Sequence, residues 1–267
     1  MGATHNSTPS WLSVVARFWG GVALLARVSF ALVVEPGVGS AAEQLPVAGL
    51  ALAQSAFEAS LARLHNEPTN AVAAWEFGRA AFDRAEFSTN DAERAAIAVQ
   101  GIDAGRKLIA RVPDSGPGHY YLGMNLGQLA RTKLLGALKI VDEMEREFKA
   151  AAALDERFDH AGPQRNLGLL YYEAPVFGSI GSRTKARRHL ERAAELAPDF
   201  PENRLNLAAA FLKWGEKSPL KRELDALTKL WPAAKTNFAG AQWAMTWQDW
   251  SRRERQLRAD SAALLSH

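Results

Sequence analysis

Residues 186–232 read ARRHLERAAELAPDFPENRLNLAAAFLKWGEKSPLKRELDALTKLWP, and they hold one pattern twice. Ala186, Leu190 and Ala193 precede Pro198; Leu220, Leu224 and Leu227 precede Pro232; each residue of the second set lies 34 places beyond its counterpart. Apolar residues three and four apart share one face of a helix, and a proline that follows reads as its stop. The spacing therefore predicts two helices of one kind, each closed by its proline. A period of this length marks a helical hairpin that cannot bury its apolar face alone and stacks on copies of itself.

The helix before each of these follows the same rule. Leu167-Gly168 with Tyr171 corresponds to Leu207-Ala208 with Phe211. A small residue there lets two helices touch. Gly168 to Ala208 spans 40 residues, six beyond the period, and the excess falls in Ala174-Pro175-Val176-Phe177-Gly178-Ser179-Ile180-Gly181. Long connections on rigid scaffolds tend to carry function. Pro175, Phe177, Ser179 and Ile180 are therefore candidate contact residues.

Upstream, a helix is expected from about Val47 to His65, with Leu50, Phe57, Leu61 and Leu64 on one side. Thr69 or Asn70 caps the next, which runs to about Glu86, and another follows over about 91–112. Helical pairs are expected over about 70–113, 116–156, 160–198 and 201–232. A last helix, about 235–258, carries Trp243, Trp247 and Trp250 on one face and caps the array. The expected fold is all-α: a right-handed superhelical solenoid of about four hairpins over residues 43–267, with capping helices at both ends.

Residues 1–42 read as a signal peptide or N-terminal anchor. Arg17 precedes the apolar runs Phe18–Ala26 and Val28–Val34, and Gly39-Ser40-Ala41-Ala42 suits cleavage. Arg27 and Glu35 keep the run short of the roughly 20 apolar residues of a spanning helix. The expected location is exported, periplasmic or secreted, with membrane contact only through this segment where it is retained.

Composition narrows the chemistry. Of 267 residues, 48% are hydrophobic, and the formal charge of +3 comes from interspersed basic and acidic residues. That pattern lacks a nucleic-acid footprint. The absence of cysteine excludes disulfides, thiolate zinc sites and a thiol nucleophile. The six histidines, at 5, 65, 119, 160, 189 and 267, show no metal-ligand spacing. Phe177-Gly178-Ser179-Ile180-Gly181 lacks the first glycine of a nucleophile elbow. No enzyme activity, metal or cofactor is expected.

The motifs Leu167-Gly168…Tyr171…Pro198 and Leu207-Ala208…Phe211…Pro232 resemble the tetratricopeptide repeat (TPR). With Gly118-His119-Tyr120-Tyr121-Leu122-Gly123 and Ala197-Pro198-Asp199-Phe200-Pro201-Glu202-Asn203, the chain is similar to the T-component family of TPR-associated TRAP transporters. It is also similar to eukaryotic regulators of microtubule dynamics. The transporter resemblance implies an exported protein that docks a periplasmic substrate-binding protein and can form homo-oligomers. Members are often lipoproteins; this chain has no cysteine for such attachment.

In TPR proteins the first helix of each pair lines a concave groove. On that pattern Tyr120, Met124, Gln128, Arg165, Leu169, Tyr172, Glu173, Leu205, Leu212 and Lys213 are the expected partner-binding residues. A carboxylate clamp of the known type needs asparagine four places after a basic residue, and Leu169 follows Arg165 instead. The expected function is a scaffold that binds a protein or peptide. An alternative is a carrier of a small hydrophobic ligand or lipid, with an apolar pocket between the second helix of the 116–156 pair and the Trp-rich cap.

Overall fold

A computed structural model describes residues 41–133, 137–176 and 178–266. The expected signal segment therefore lies outside the described residues up to position 40, as does Phe177. Among the described residues the chain forms ten α-helices and one short 3-10 turn. They are α1 (Ala41–Asn66), α2 (Ala71–Glu86), α3 (Asp91–Arg111), α4 (Gly116–Arg131) and α5 (Ala137–Leu154). They continue as α6 (Phe158–Glu173), α7 (Arg183–Leu196), α8 (Pro201–Lys213), α9 (Lys217–Asn237) and, after the turn Ala241–Trp243, α10 (Ala244–Leu265).

Short polar side chains set four of the starts. Asn70, Asn90, Ser115 and Ser182 each accept a bond from a backbone N–H in the first turn of the helix that follows. Each such cap is worth about 1 kcal/mol.

Packing then gives the array its curvature. Each helix touches the next, from α1 through to α10. The series α2, α4, α6, α8 and α10 is also in contact member to member, whereas α3, α5, α7 and α9 do not touch one another. The touching series thus follows the shorter, inner arc, and its free face is concave. One apolar cluster spans α7–α10 around Leu205, Phe211, Leu220 and Trp250. A second spans α3–α7 around Tyr120, Leu122, Phe148 and Tyr171. Leu169, Tyr172 and Trp214 touch both clusters and join them.

Two boundaries differ from the sequence reading. Pro232 lies inside α9 and does not end it. Its ring is exposed, while Ala234 and Phe238 beyond it are buried, so burial carries the helix past the missing N–H. The last helix accordingly starts later than 235, after Gly240 at φ 103, and extends to Leu265.

The start of α6 is irregular. Asp159, His160 and Ala161 all have positive φ, at 50, 54 and 64 degrees. A left-handed residue other than glycine costs roughly 1–2 kcal/mol. Three in succession need support from the surroundings.

Candidate functional site

That support comes from Arg165, one helical turn on. Its guanidinium donates to the Asp159 and His160 carbonyls at 3.3 and 3.1 Å, and to the Asp159 carboxylate at 3.1 Å. Tyr120 donates its hydroxyl to the same carboxylate at 2.6 Å. Asn203 holds the His160 carbonyl from α8 at 3.0 Å, and the His160 ring stacks on Phe200 at 4.4 Å. Arg165 also reaches Asn203 Oδ1 at 3.2 Å. This cluster pins α4, α6 and α8 to one another.

The same device recurs along the inner arc. Gln128 and Arg131 of α4 both donate to Glu86 of α2. Asn125 donates to the Gly78 carbonyl at 2.8 Å, and Asn166 to the Tyr120 hydroxyl at 3.1 Å. At the far end Arg253 and Trp250 of α10 donate to Glu202 of α8 at 2.9 and 3.1 Å. Burial pushes the Glu86 carboxyl upward, against the pull of Arg131.

These contacts relocate half of the expected groove. Tyr120, Met124, Gln128, Arg165 and Leu205 are buried, and the first four make hydrogen bonds at the seams between inner helices. The physical reason is that the inner helices touch. A residue that helical periodicity puts on the inner face can be swallowed by the next helix along. Leu169, Tyr172, Glu173 and Leu212 are half-buried, and Lys213 is exposed. On α2, Arg79 and Asp83 pair at 3.7 Å, one turn apart, with about half of each side chain exposed. Surrounding protein pushes the Asp83 carboxyl up to about 6, opposed by Arg79. The weak match of α2 to the repeat gave these two residues no place in the sequence reading.

The 174–182 connection is compact. Gly181 N–H donates to the Pro175 carbonyl at 3.0 Å, and Ser182 N–H to the Tyr171 carbonyl at 2.9 Å. A side chain at Gly181 would overlap the Ala174 and Pro175 carbonyls. Ile180 packs against the second cluster, and the Ser179 hydroxyl is buried without a partner. Pro175 is half-buried, whereas Val176 is 67% exposed.

The two helices expected to bound an apolar pocket, α5 and α10, do not touch. Trp250 is instead fully buried, 5.3 Å from the Phe200 ring. A cleft of about 370 Å³ lies at the opposite end, lined by Leu61, Leu64, Phe77, Ala104, Lys107 and Arg111 among others. Among the described residues no group of acidic or histidine side chains is placed to hold a metal ion.

Among solved structures, the chain is similar to a thermophilic TPR protein of Thermus thermophilus. The two share 20% identity and a TM-score of 0.52, over 84% of this chain and 97% of the other. The fold is an all-α TPR-like solenoid. No protein-family model matches the chain, and no curated protein does. Within that fold, α2–α3, α4–α5, α6–α7 and α8–α9 are the hairpins, and α1 and α10 cap them.

Proposed function

We propose that the protein is a non-catalytic scaffold that holds a protein partner against its concave face and the 174–182 rim. The observation that carries this reading is where the chain adds length to the repeat. Among the described added residues, Gly181 bonds back to Pro175, Ile180 packs on the cluster that Tyr172 joins, and Val176 faces solvent. A connection whose ends are tied by backbone hydrogen bonds, with an exposed apolar residue, is suited to contact, since less entropy is lost on binding. An exported setting and a role beside a transporter's substrate-binding protein rest on the family resemblance and on residues 1–42. Homo-oligomers would follow from the same resemblance.

Site-specific photocross-linking tests the reading. A benzophenone side chain at Val176, Leu169 or Lys213 is expected to capture one protein from the cell envelope. The same group at Arg222, exposed on the outer arc, is expected to capture none. Equal capture from both faces would overturn the assignment, and fractionation of the native chain checks export.

A further inference from the structure

The rim beside the 174–182 connection is rich in cations, and they are arranged in an unusual way. Residues 183–188 and 213–217 hold six cations, Arg183, Lys185, Arg187, Arg188, Lys213 and Lys217, and one carboxylate, Glu216. Glu173 at the end of α6, Glu191 paired with Arg187 at 3.7 Å, and Glu145, which acts on Lys185, are further acids at this edge. The hairpin turns α6–α7 and α8–α9 bring these stretches together, because both turns open on the same edge of the array.

Four of the cations lie on aromatic faces. The guanidinium carbons of Arg183 and Arg187 stand 5.2 and 5.3 Å from the Trp214 ring. Arg187 also covers Phe211 at 5.2 Å. The Lys213 ammonium sits 4.2 Å over Tyr172, and Lys185 4.9 Å over Tyr171. Tyr172 and Trp214 meet edge to face at 6.0 Å, so the platform is continuous. Aromatic faces fix the position of a cation without neutralising it. They hold the guanidinium planes while their N–H edges remain able to donate in pairs to a carboxylate. Glu216 shows the chemistry within the chain itself: one carboxylate accepts from both Arg183 and Arg187.

We propose that this aromatic-backed basic rim is the docking site for an acidic segment of the partner protein, whose carboxylates bind Arg183, Arg187 and Lys213 beside the exposed Val176. The inference deepens the scaffold reading above and rests on it. Charge complementarity selects the occupant: six cations stand against four carboxylates, Glu216, Glu191, Glu173 and Glu145. A nucleic acid fits less well. The aromatic faces here are already covered by cations and are not open to stack bases, and the cationic run ends within two hairpin turns instead of tracking a phosphate backbone.

The test is fluorescence anisotropy on the full chain with a labelled Glu-Glu-Leu repeat peptide, beside oligo-dT and vesicles of anionic phospholipid. The peptide is expected to bind at low salt and to weaken as salt is raised. Arg183→Gln/Arg187→Gln/Lys213→Gln is expected to lower its affinity about tenfold or more. A remote triple of equal charge, Lys107→Gln/Lys139→Gln/Lys229→Gln, is expected to leave it unchanged. Glu216→Gln removes the negative charge between the two arginines while keeping an acceptor oxygen, so it is expected to tighten binding. That gain holds its meaning even where the rim triple is poorly folded. No peptide binding, equal loss in both triples, or tighter binding of oligo-dT or vesicles would overturn the proposal. Cross-linking of a partner at Val176 that the peptide does not compete would sink the acidic segment and spare the scaffold. Peptide binding without any cross-linked protein would do the reverse.

Discussion

At the residue scale, Arg165 shows how a binding candidate becomes a structural part. Its charge-assisted bonds hold the left-handed Asp159–Ala161 turn, so Arg165→Ala is expected to cost about 2–3 kcal/mol of stability in urea unfolding. A groove residue with no structural role would leave the midpoint unchanged. Gly168 makes a similar case through sterics. A Cβ there would lie 2.7 Å from Leu190 Cγ and 3.0 Å from its backbone nitrogen. Gly168→Val is expected to lose about 1–3 kcal/mol by forcing α6 and α7 apart. His189 carries part of the pH dependence. Burial, with Arg188 beside it, lowers the imidazole to about 4, while its Nδ1 meets Gln164 Oε1 at 2.7 Å. The unfolded chain, with an ordinary histidine, binds the proton first as pH falls. The stabilisation is therefore full above about pH 6.5 and is lost as pH falls toward 4. Asp83, raised to about 6, works the opposite way in that window, since its folded form takes up the proton more readily. His189→Gln is expected to flatten the acid limb of a stability–pH curve, and an unchanged limb would remove His189 from the account.

At the element scale, burial ranks the helices. Among the described side chains of α1 only Ala53 is buried, whereas α2 buries eight residues and α4 twelve. Opening free energy follows buried contact. Amide exchange is thus expected to be faster in α1 than in α4 or α6, and equal protection would contradict this ranking. The elements also show what a sequence can and cannot disclose. The helix opened by Asn70 was readable, because a cap is a local bond within one turn. The positive-φ turn at Asp159–Ala161 was not, since none of its residues is glycine or asparagine and its support comes from α4 and α8. The passage of α9 through Pro232 was hidden for the same reason: Ala234 and Phe238 are buried by distant helices. The groove was half readable. A period of 3.6 gives the inner face of a single helix, but the seam with the next inner helix decides whether Gln128 or Lys213 sees solvent.

At the scale of the whole molecule, the repeat predicts a linear array, in which each unit touches only its neighbours. The array here is also joined end to end. α1 touches α2 and, at the far terminus, α10. The contact passes through Gly49, where a Cβ would overlap Met245 Sδ and come within 3.1 Å of the Phe87 ring. A helix that buries little of its own surface thus bridges the first hairpin and the last cap. Nothing in the 34-residue period encodes this, because the period describes contacts between neighbours and the closure joins elements nearly 200 residues apart in sequence. The coupling has a measurable consequence. Gly49→Leu places a branched side chain where Met245 and Phe87 leave no room, so the two ends should separate. Amide exchange is then expected to quicken in the first turns of α10 as well as in α1, with α5 unchanged. In an open linear array the effect would stay within α1 and α2, and that outcome would show that the closure adds nothing to the stability of the terminal cap.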